Sequence, residues 1–540
     1  MSRLIVDPAF RIELPPPVTF GLPAKFDSWR AWQAEAIVRA VETPKRFVGM
    51  VAPTGFGKSP TAVTIARLVG GRACYLTETK PLANQLHRDF AELMTDIRGR
   101  GNYDCIRLNE EGVHGAAGRC DRAEGLCAHC PLQEKGCHYF DRWRAALKAE
   151  LVLTNYSYWL AINEHNEQGI GKYDLLIADE AHGSAGQLSA FLKIEISAAE
   201  VGKLLRRELP KPKELSAAKW KEWGAAYAPG VRARADRLKL QANMGAELST
   251  EQQREMRECA QLAGKLEKLS VIDDRWIEGR DYRKPADSVH FEPIWPAPYA
   301  ETLFQGIKKV VLLSATLVPK DLEKLGIAQS ECEWLEFPSS FPVASRPIAY
   351  VPTVQMKASM SEAQKLESVR RIDQIIRARQ DRKGIVHTVS YDRGKHLFEH
   401  SQFRELMLAN ESRNTQTTMD RYLSSPPPKV LVGPSYDTGY DFPGEAAEYQ
   451  IIMKVPFVDT RSEIEAARVK DDPDYSAFCA MKSIVQMAGR IVRSAEDRGE
   501  TLITDDQWAW FRWKFAKFAP RYFLEACVMG KSIPQPLRKL

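Results

Sequence analysis

Residues 46 to 68 read RFVGMVAPTGFGKSPTAVTIARL, and no other stretch limits the fold so strongly. The apolar run FVGMVA has the character of a buried strand, while TAVTIARL carries its apolar residues at helical spacing. The glycines between them therefore fall on a strand-to-helix turn. Gly55 and Gly57 let the backbone fold around an anion with its N–H groups turned inward. In such a turn Thr54, Gly55 and Gly57 would line a phosphate. Lys58 would reach the outer phosphates of a nucleotide, and the Ser59 hydroxyl would bind magnesium. APTGFGKS lacks the longer spacing of the usual phosphate-loop pattern, so by itself it also permits a ligand-free glycine turn.

A second stretch bears on that choice. In YDLLIADEAH, residues 173 to 182, the short apolar strand LLIA runs directly into Asp179 and Glu180. Two carboxylates are thereby expected at the carboxyl edge of a sheet, where α/β proteins bind ligands. Asp179 can hold magnesium through water, and Glu180 can orient and deprotonate an attacking water. The same pair could merely cap a helix, but two such motifs in one chain favour a nucleotide site.

SIVQMAGRIVRSAEDRG, residues 483 to 499, supplies a third piece. Read as a continuous helix, it places Gln486, Arg490 and Arg493 at i, i+4 and i+7 on one face. Aimed at a nucleotide held by another domain, the two arginines could bind the γ-phosphate and stabilise transition-state charge. A solvated helical face is the alternative for this segment alone.

Half of the ten cysteines lie between residues 105 and 137: Cys105, Cys120, Cys127, Cys130 and Cys137. The opening MSRLIVDPAFRIELPPP lacks the apolar run of a secretory signal, and no run of about 18 apolar residues suggests a membrane span. An intracellular location is expected, in the cytoplasm or nucleoid, with no membrane partner. Disulfides are rare there, and clustered thiols point to metal or redox chemistry. Spacing alone leaves tetrahedral zinc and an iron–sulfur cluster equally open. Net charge is only +6, and residues 201 to 285, with 19 basic and 13 acidic side chains, carry a surplus of that same size. A basic insert suits a nucleic-acid backbone, although many charged helices are simply solvated.

Together these motifs resemble the helicases of superfamily 2, most closely their iron–sulfur branch, the XPD and DinG family. APTGFGKS is similar to motif I, DEAH to motif II, LLSATL at 312 to 317 to motif III, GYDFPG at 439 to 444 to motif V and QMAGRIVRSAEDRG to motif VI. Thr438 stands where that family often has Glu before the motif V glycine, while Gly439 and Asp441 match. FPSSFP at 337 to 342 is similar to the family's SPF-like segment. Gln33, in WRAWQAEAI, occupies the place of an adenine-reading glutamine. The resemblance runs from about Trp29 to Asp505.

The resemblance implies an α/β fold with two RecA-like helicase domains. Domain 1 would comprise residues 1 to 97, 151 to 190 and 286 to 330, interrupted by an iron–sulfur domain at 98 to 150 and a helical, arch-like insert at 191 to 285. Domain 2 would comprise residues 331 to 540. It also implies a [4Fe–4S] cluster held by four of the five clustered cysteines, with Cys105 first and Cys137 last. Which of Cys120, Cys127 and Cys130 stays idle is open. ATP and Mg²⁺ would sit between Lys58, Ser59, Asp179 and Glu180 on one side and Gln486, Arg490 and Arg493 on the other, with His182 and Ser314 to Thr316 relaying the nucleotide state. Thr77 and Thr79 are candidate phosphate contacts. The implied activity is ATP-driven translocation on single-stranded DNA, 5′ to 3′, with unwinding of forked duplex by a monomer. A non-unwinding DNA-binding ATPase or a scaffold with a structural zinc or cluster site is the alternative.

Overall fold

The phosphate-loop strand is buried along its whole length. In the computed structural model, which describes residues 13–106, 130–165, 169–246, 248–281, 283–357, 359–409, 415–434, 436, 442–530 and 532–538, Phe47–Val51 lies inside a seven-stranded parallel sheet. The strand order is Cys332–Glu336, Phe47–Val51, Lys309–Ser314, Leu175–Asp179, Ala73–Thr77, Leu151–Asn155, Thr95–Asp96. Both faces are covered, which is why these strands read as continuous apolar runs. Alternate residues feed two cores. Val48, Met50, Tyr75, Ile177 and Leu313 pack with Ala36, Ile37, Val63 and Ile65 on one face. Phe47, Val51, Leu76, Ala178 and Leu312 pack with Tyr156, Trp159, Leu188 and Phe304 on the other.

A second seven-stranded parallel sheet follows, in the order Met407–Ala409, Val430–Gly433, Gly384–His387, Tyr449–Ile452, Glu500–Asp505, Ile348–Val354, Cys527–Met529. Helices Glu362–Arg377 and Tyr391–His400 cover one face through Ile372, Ile376 and Leu397. Helix Tyr475–Ala488 covers part of the other through Phe478, Met481 and Ile484. The expected pair of α/β domains is present.

A smaller body is inserted in the chain between strands Leu175–Asp179 and Lys309–Ser314 of the first sheet. Helices Ala217–Asn243 and Thr250–Lys268 pack against a three-stranded antiparallel sheet of Ile194–Ser197, Ser288–Pro293 and Trp276–Gly279. The boundary at 331 is corrected, because Cys332–Glu336 pairs with Phe47–Val51 in the first sheet, and the smaller body corrects two further expectations. The insert is not purely helical, and its sheet takes in Ser288–Pro293, residues that a boundary at 285 assigned to the first domain. The reason is burial: Val289 and Phe291 alternate inward onto Trp220, Leu262 and Leu266 of the helix pair. The basic residues are also not simply free for a ligand. Arg232 forks onto Glu267 at 2.9 and 2.6 Å, and Arg234 pairs with Glu255 at 2.5 Å, so both link one helix of the pair to the other.

Candidate nucleotide site between the two sheets

The glycine turn has the backbone the sequence called for. Gly55 and Gly57 each have φ +85°, a conformation that side-chain-bearing residues avoid. A Cβ on Gly57 would lie 2.4 Å from Gln33 Nε2, and one on Gly55 would lie 2.3 Å from the Phe341 ring. Helix Lys58–Val69 starts directly after the turn. Arg30 Nη1 donates to the Gly55 carbonyl at 2.7 Å, and Gln33 Nε2 donates to the Gly57 carbonyl at 2.9 Å and to Thr61 Oγ1 at 3.2 Å. Gln33 is thus buried and bolted to the loop. Both its amide hydrogens are spent there, so in this geometry it braces the loop instead of presenting them to a base.

Asp179 and Glu180 share a strand end but not an environment. Asp179 is buried, accepting from Tyr75 OH at 3.0 Å and from the Glu180 N–H at 2.9 Å. Burial first, and Glu180 second, push the Asp179 carboxyl up to about 6. Glu180 turns out of the strand with φ +49°, a left-handed conformation that costs a non-glycine residue about 1 kcal/mol or more. That turn aims its carboxylate at Lys58, with Nζ to Oε1 at 3.1 Å. Burial would raise this carboxyl, but the Lys58 ammonium and the His182 imidazole together hold it well below the usual range. Its second oxygen accepts from Ser314 Oγ at 3.1 Å, and Ser314 Oγ lies 2.8 Å from His182 Nδ1.

From the other sheet, helix Tyr475–Ala488 reaches this same histidine. Gln486 Nε2 hydrogen-bonds His182 Nε2, while Lys482 Nζ donates to the His182 carbonyl and, at 2.7 Å, to Asp321 Oδ1. The reading of residues 483 to 493 as one helix is corrected. The helix stops at Ala488, and Gly489, Arg490 and Arg493 lie beyond it. Glycine is a poor helix residue, and the chain must turn to bury Ile491 and Val492 against Phe341 and Phe442 in a separate core. Asp497 fixes the turn, accepting from the N–H groups of Arg493 at 2.7 Å, Ser494 at 2.8 Å and Gly444 at 3.1 Å. The Arg493 side chain is nonetheless half-buried within the field of Glu180, which offsets part of the desolvation that lowers its pKa.

Two family models match, one in each half: "Type III restriction enzyme, res subunit" over residues 27–203 and "Helicase C-terminal domain" over 368–521. The fold is similar to a solved XPD helicase (15% identity, TM-score 0.59) and to Xpd4 of S. tokodaii (12% identity, TM-score 0.57), each alignment covering 93% of this chain and 100% of the other. The chain has the two-sheet fold of these XPD helicases. No curated protein matches it in sequence.

Other expected helicase residues fall in different places. Thr77 is fully buried, its hydroxyl directed at the Thr154 carbonyl at 3.4 Å, so it does not face a phosphate. Thr79 caps helix Lys80–Asp89. Thr438, Gly439 and Asp441 lie outside the described residues, as do Cys120 and Cys127. Cys105, Cys130 and Cys137 are free, half-buried thiols; Cys130 and Cys137 flank a short turn closed by Cys137 N–H to the Leu132 carbonyl at 2.9 Å. A donor set made only of free thiols fits an iron–sulfur cluster, and fits zinc too. Among the described residues no helix is long and apolar enough to cross a membrane.

Sequence reasoning missed Lys482, although it stands four residues before Gln486 and so shares its helical face. It also missed Tyr75 and Phe341. Their roles depend on cross-strand register and on how the second domain docks, for which the chain carries no local signal.

Proposed function

We propose that this chain is an ATP-driven motor that moves 5′ to 3′ along single-stranded DNA and separates forked duplex. The observation that carries the reading is the position of His182. It touches Ser314 of the first domain and Gln486 and Lys482 of the second, beside the carboxylate suited to activate water. A change at the γ-phosphate would therefore alter how the two domains are held together.

In this reading Lys58 leaves Glu180 for the phosphates when ATP binds, and Gly55 and Gly57 bring backbone N–H groups onto them. Asp179 and Ser59 would hold Mg²⁺, which supplies charge neutralisation at the phosphate oxygens. Freed from Lys58, Glu180 orients and deprotonates the attacking water, while Ser314 keeps its second oxygen in place. Arg493, with Arg490 on the same loop, stabilises the charge that develops on the γ-phosphoryl group. Four of Cys105, Cys120, Cys127, Cys130 and Cys137 would hold a [4Fe–4S] cluster, whose part is to keep the insert folded as a rigid wedge. The motor would occupy both sheets, and the body from about residue 191 to 293 would guide the strand.

Strand displacement on forked duplexes with 5′ and 3′ tails, measured beside DNA-stimulated phosphate release, tests this. Unwinding from 5′ tails alone is expected. Stimulated hydrolysis without displacement from either tail would leave a DNA-binding ATPase in its place.

A further inference from the structure

Outside the nucleotide site, helices Glu362–Arg377 and Tyr391–His400 bring three metal-type ligands together. His396 and His400 are one turn apart and share a face, their ring centroids 4.3 Å apart. Glu362, at the start of the neighbouring helix, places Oε1 3.5 Å from His396 Nε2. One ligand atom from each of the three lies within 4.8 Å of the others.

The surrounding hydrogen bonds prepare these atoms for a cation. His400 Nδ1 lies 3.0 Å from the His396 carbonyl. A carbonyl can only accept, so Nδ1 carries the proton and the Nε2 lone pair is left for a ligand, the tautomer arrangement common at metal-binding histidines. His396 Nε2 is buried and has no hydrogen-bond partner among the described residues, an arrangement that is costly in a protein interior. Lys365 Nζ donates to Glu362 Oε2 at 3.2 Å and leaves Oε1 for the cluster.

We propose that Glu362, His396 and His400 bind one divalent transition-metal ion of the zinc class. Two imidazoles and one carboxylate suit such an ion and disfavour the all-oxygen preference of Mg²⁺ and Ca²⁺. The ion would tie the two helices together. Helix Tyr391–His400 also lines, through Tyr391, Asp392, Lys395 and Phe398, a cavity of about 390 Å³ that reaches Gly433 and Pro434 at the end of strand Val430–Gly433. A bound metal would therefore fix one wall of that cavity.

Co²⁺ titration of the full chain tests the site, because visible bands from nitrogen and oxygen ligation lack the thiolate-to-cobalt charge transfer that the clustered cysteines would give. One equivalent binding without that charge transfer is expected. His400→Ala should weaken it at least ~10-fold, the lower end of the loss seen when even an outer partner of a metal ligand is removed. Lys365→Met, which removes the competitor for Glu362, should tighten it. Binding only with thiolate character, equal affinity in His400→Ala, or no gain in Lys365→Met would each overturn the proposal.

Discussion

Glu180→Gln separates nucleotide binding from chemistry. The carboxylate faces Lys58 Nζ at 3.1 Å, an attraction of about 5 kcal/mol at an effective dielectric constant of about 20 before desolvation is subtracted. Incoming phosphates must overcome that attraction to capture Lys58. Glutamine keeps the shape, and its carbonyl oxygen can still accept from Ser314, but the charge opposing the phosphates is gone. ATP should therefore bind at least as tightly as to the wild type. Glutamine cannot take a proton from water, and loss of a general base costs about 10²- to 10⁴-fold in rate, or about 3–5 kcal/mol of barrier at 1.36 kcal/mol per decade. Equilibrium binding of a fluorescent ATP analogue and DNA-stimulated phosphate release, measured on one preparation, give both quantities. A kcat within about tenfold of wild type would remove Glu180 from the chemistry. ATP affinity lowered along with the rate would show that the Lys58–Glu180 pair organises the site instead of competing with substrate.

Arg493→Ala should lower kcat on the order of 10³-fold with ATP binding largely kept; comparable turnover would return Arg493 to a structural part in its loop. Lys482→Met leaves the Asp321 carboxylate, 3% exposed, without its ammonium, a loss on the order of 3 kcal/mol, and should yield hydrolysis that no longer responds to DNA in steady-state assays. Asp179, pushed up to about 6 by burial and Glu180, must be ionised to hold magnesium, so Mg–ATP affinity should fall below about pH 6 in wild type and lose that dependence in Asp179→Asn. The folded chain keeps this proton to about pH 6 whereas the unfolded chain releases it near the ordinary 3.8, so this group's contribution to stability declines as pH rises through that window, which urea titrations of the two proteins will show. Cys137→Ser should lose bound iron and duplex unwinding while keeping ATP binding; iron content, strand displacement and nucleotide affinity distinguish a wedge from a support for the whole fold.

The sequence by itself determined the elements that carry a local signature. FVGMVA and LLIAD are buried strands because parallel strands covered on both faces need apolar residues throughout. APTGFGKS is a tight strand-to-helix turn because glycine is favoured at φ +85° with Phe341 and Gln33 pressed against Gly55 and Gly57. Asp179, Glu180 and Gln486 could be named because each sits at a strand end or on a helix face that periodicity locates, Lys58 because it follows the glycine turn, and His182 through the family resemblance alone. What the tertiary structure decided lies between segments distant in the chain. The helix before Arg490 ends early because Ile491 and Val492 belong to a different core from Met481 and Ile484. Arg232 and Arg234 read as a basic surface until Glu267 and Glu255 are brought opposite them by helix pairing. Ser288–Pro293 leaves the first domain because its alternating Val289 and Phe291 find apolar partners only on the inserted helices. Periodicity reports which face of a segment wants burial, but the partner that buries it is chosen by packing across hundreds of residues.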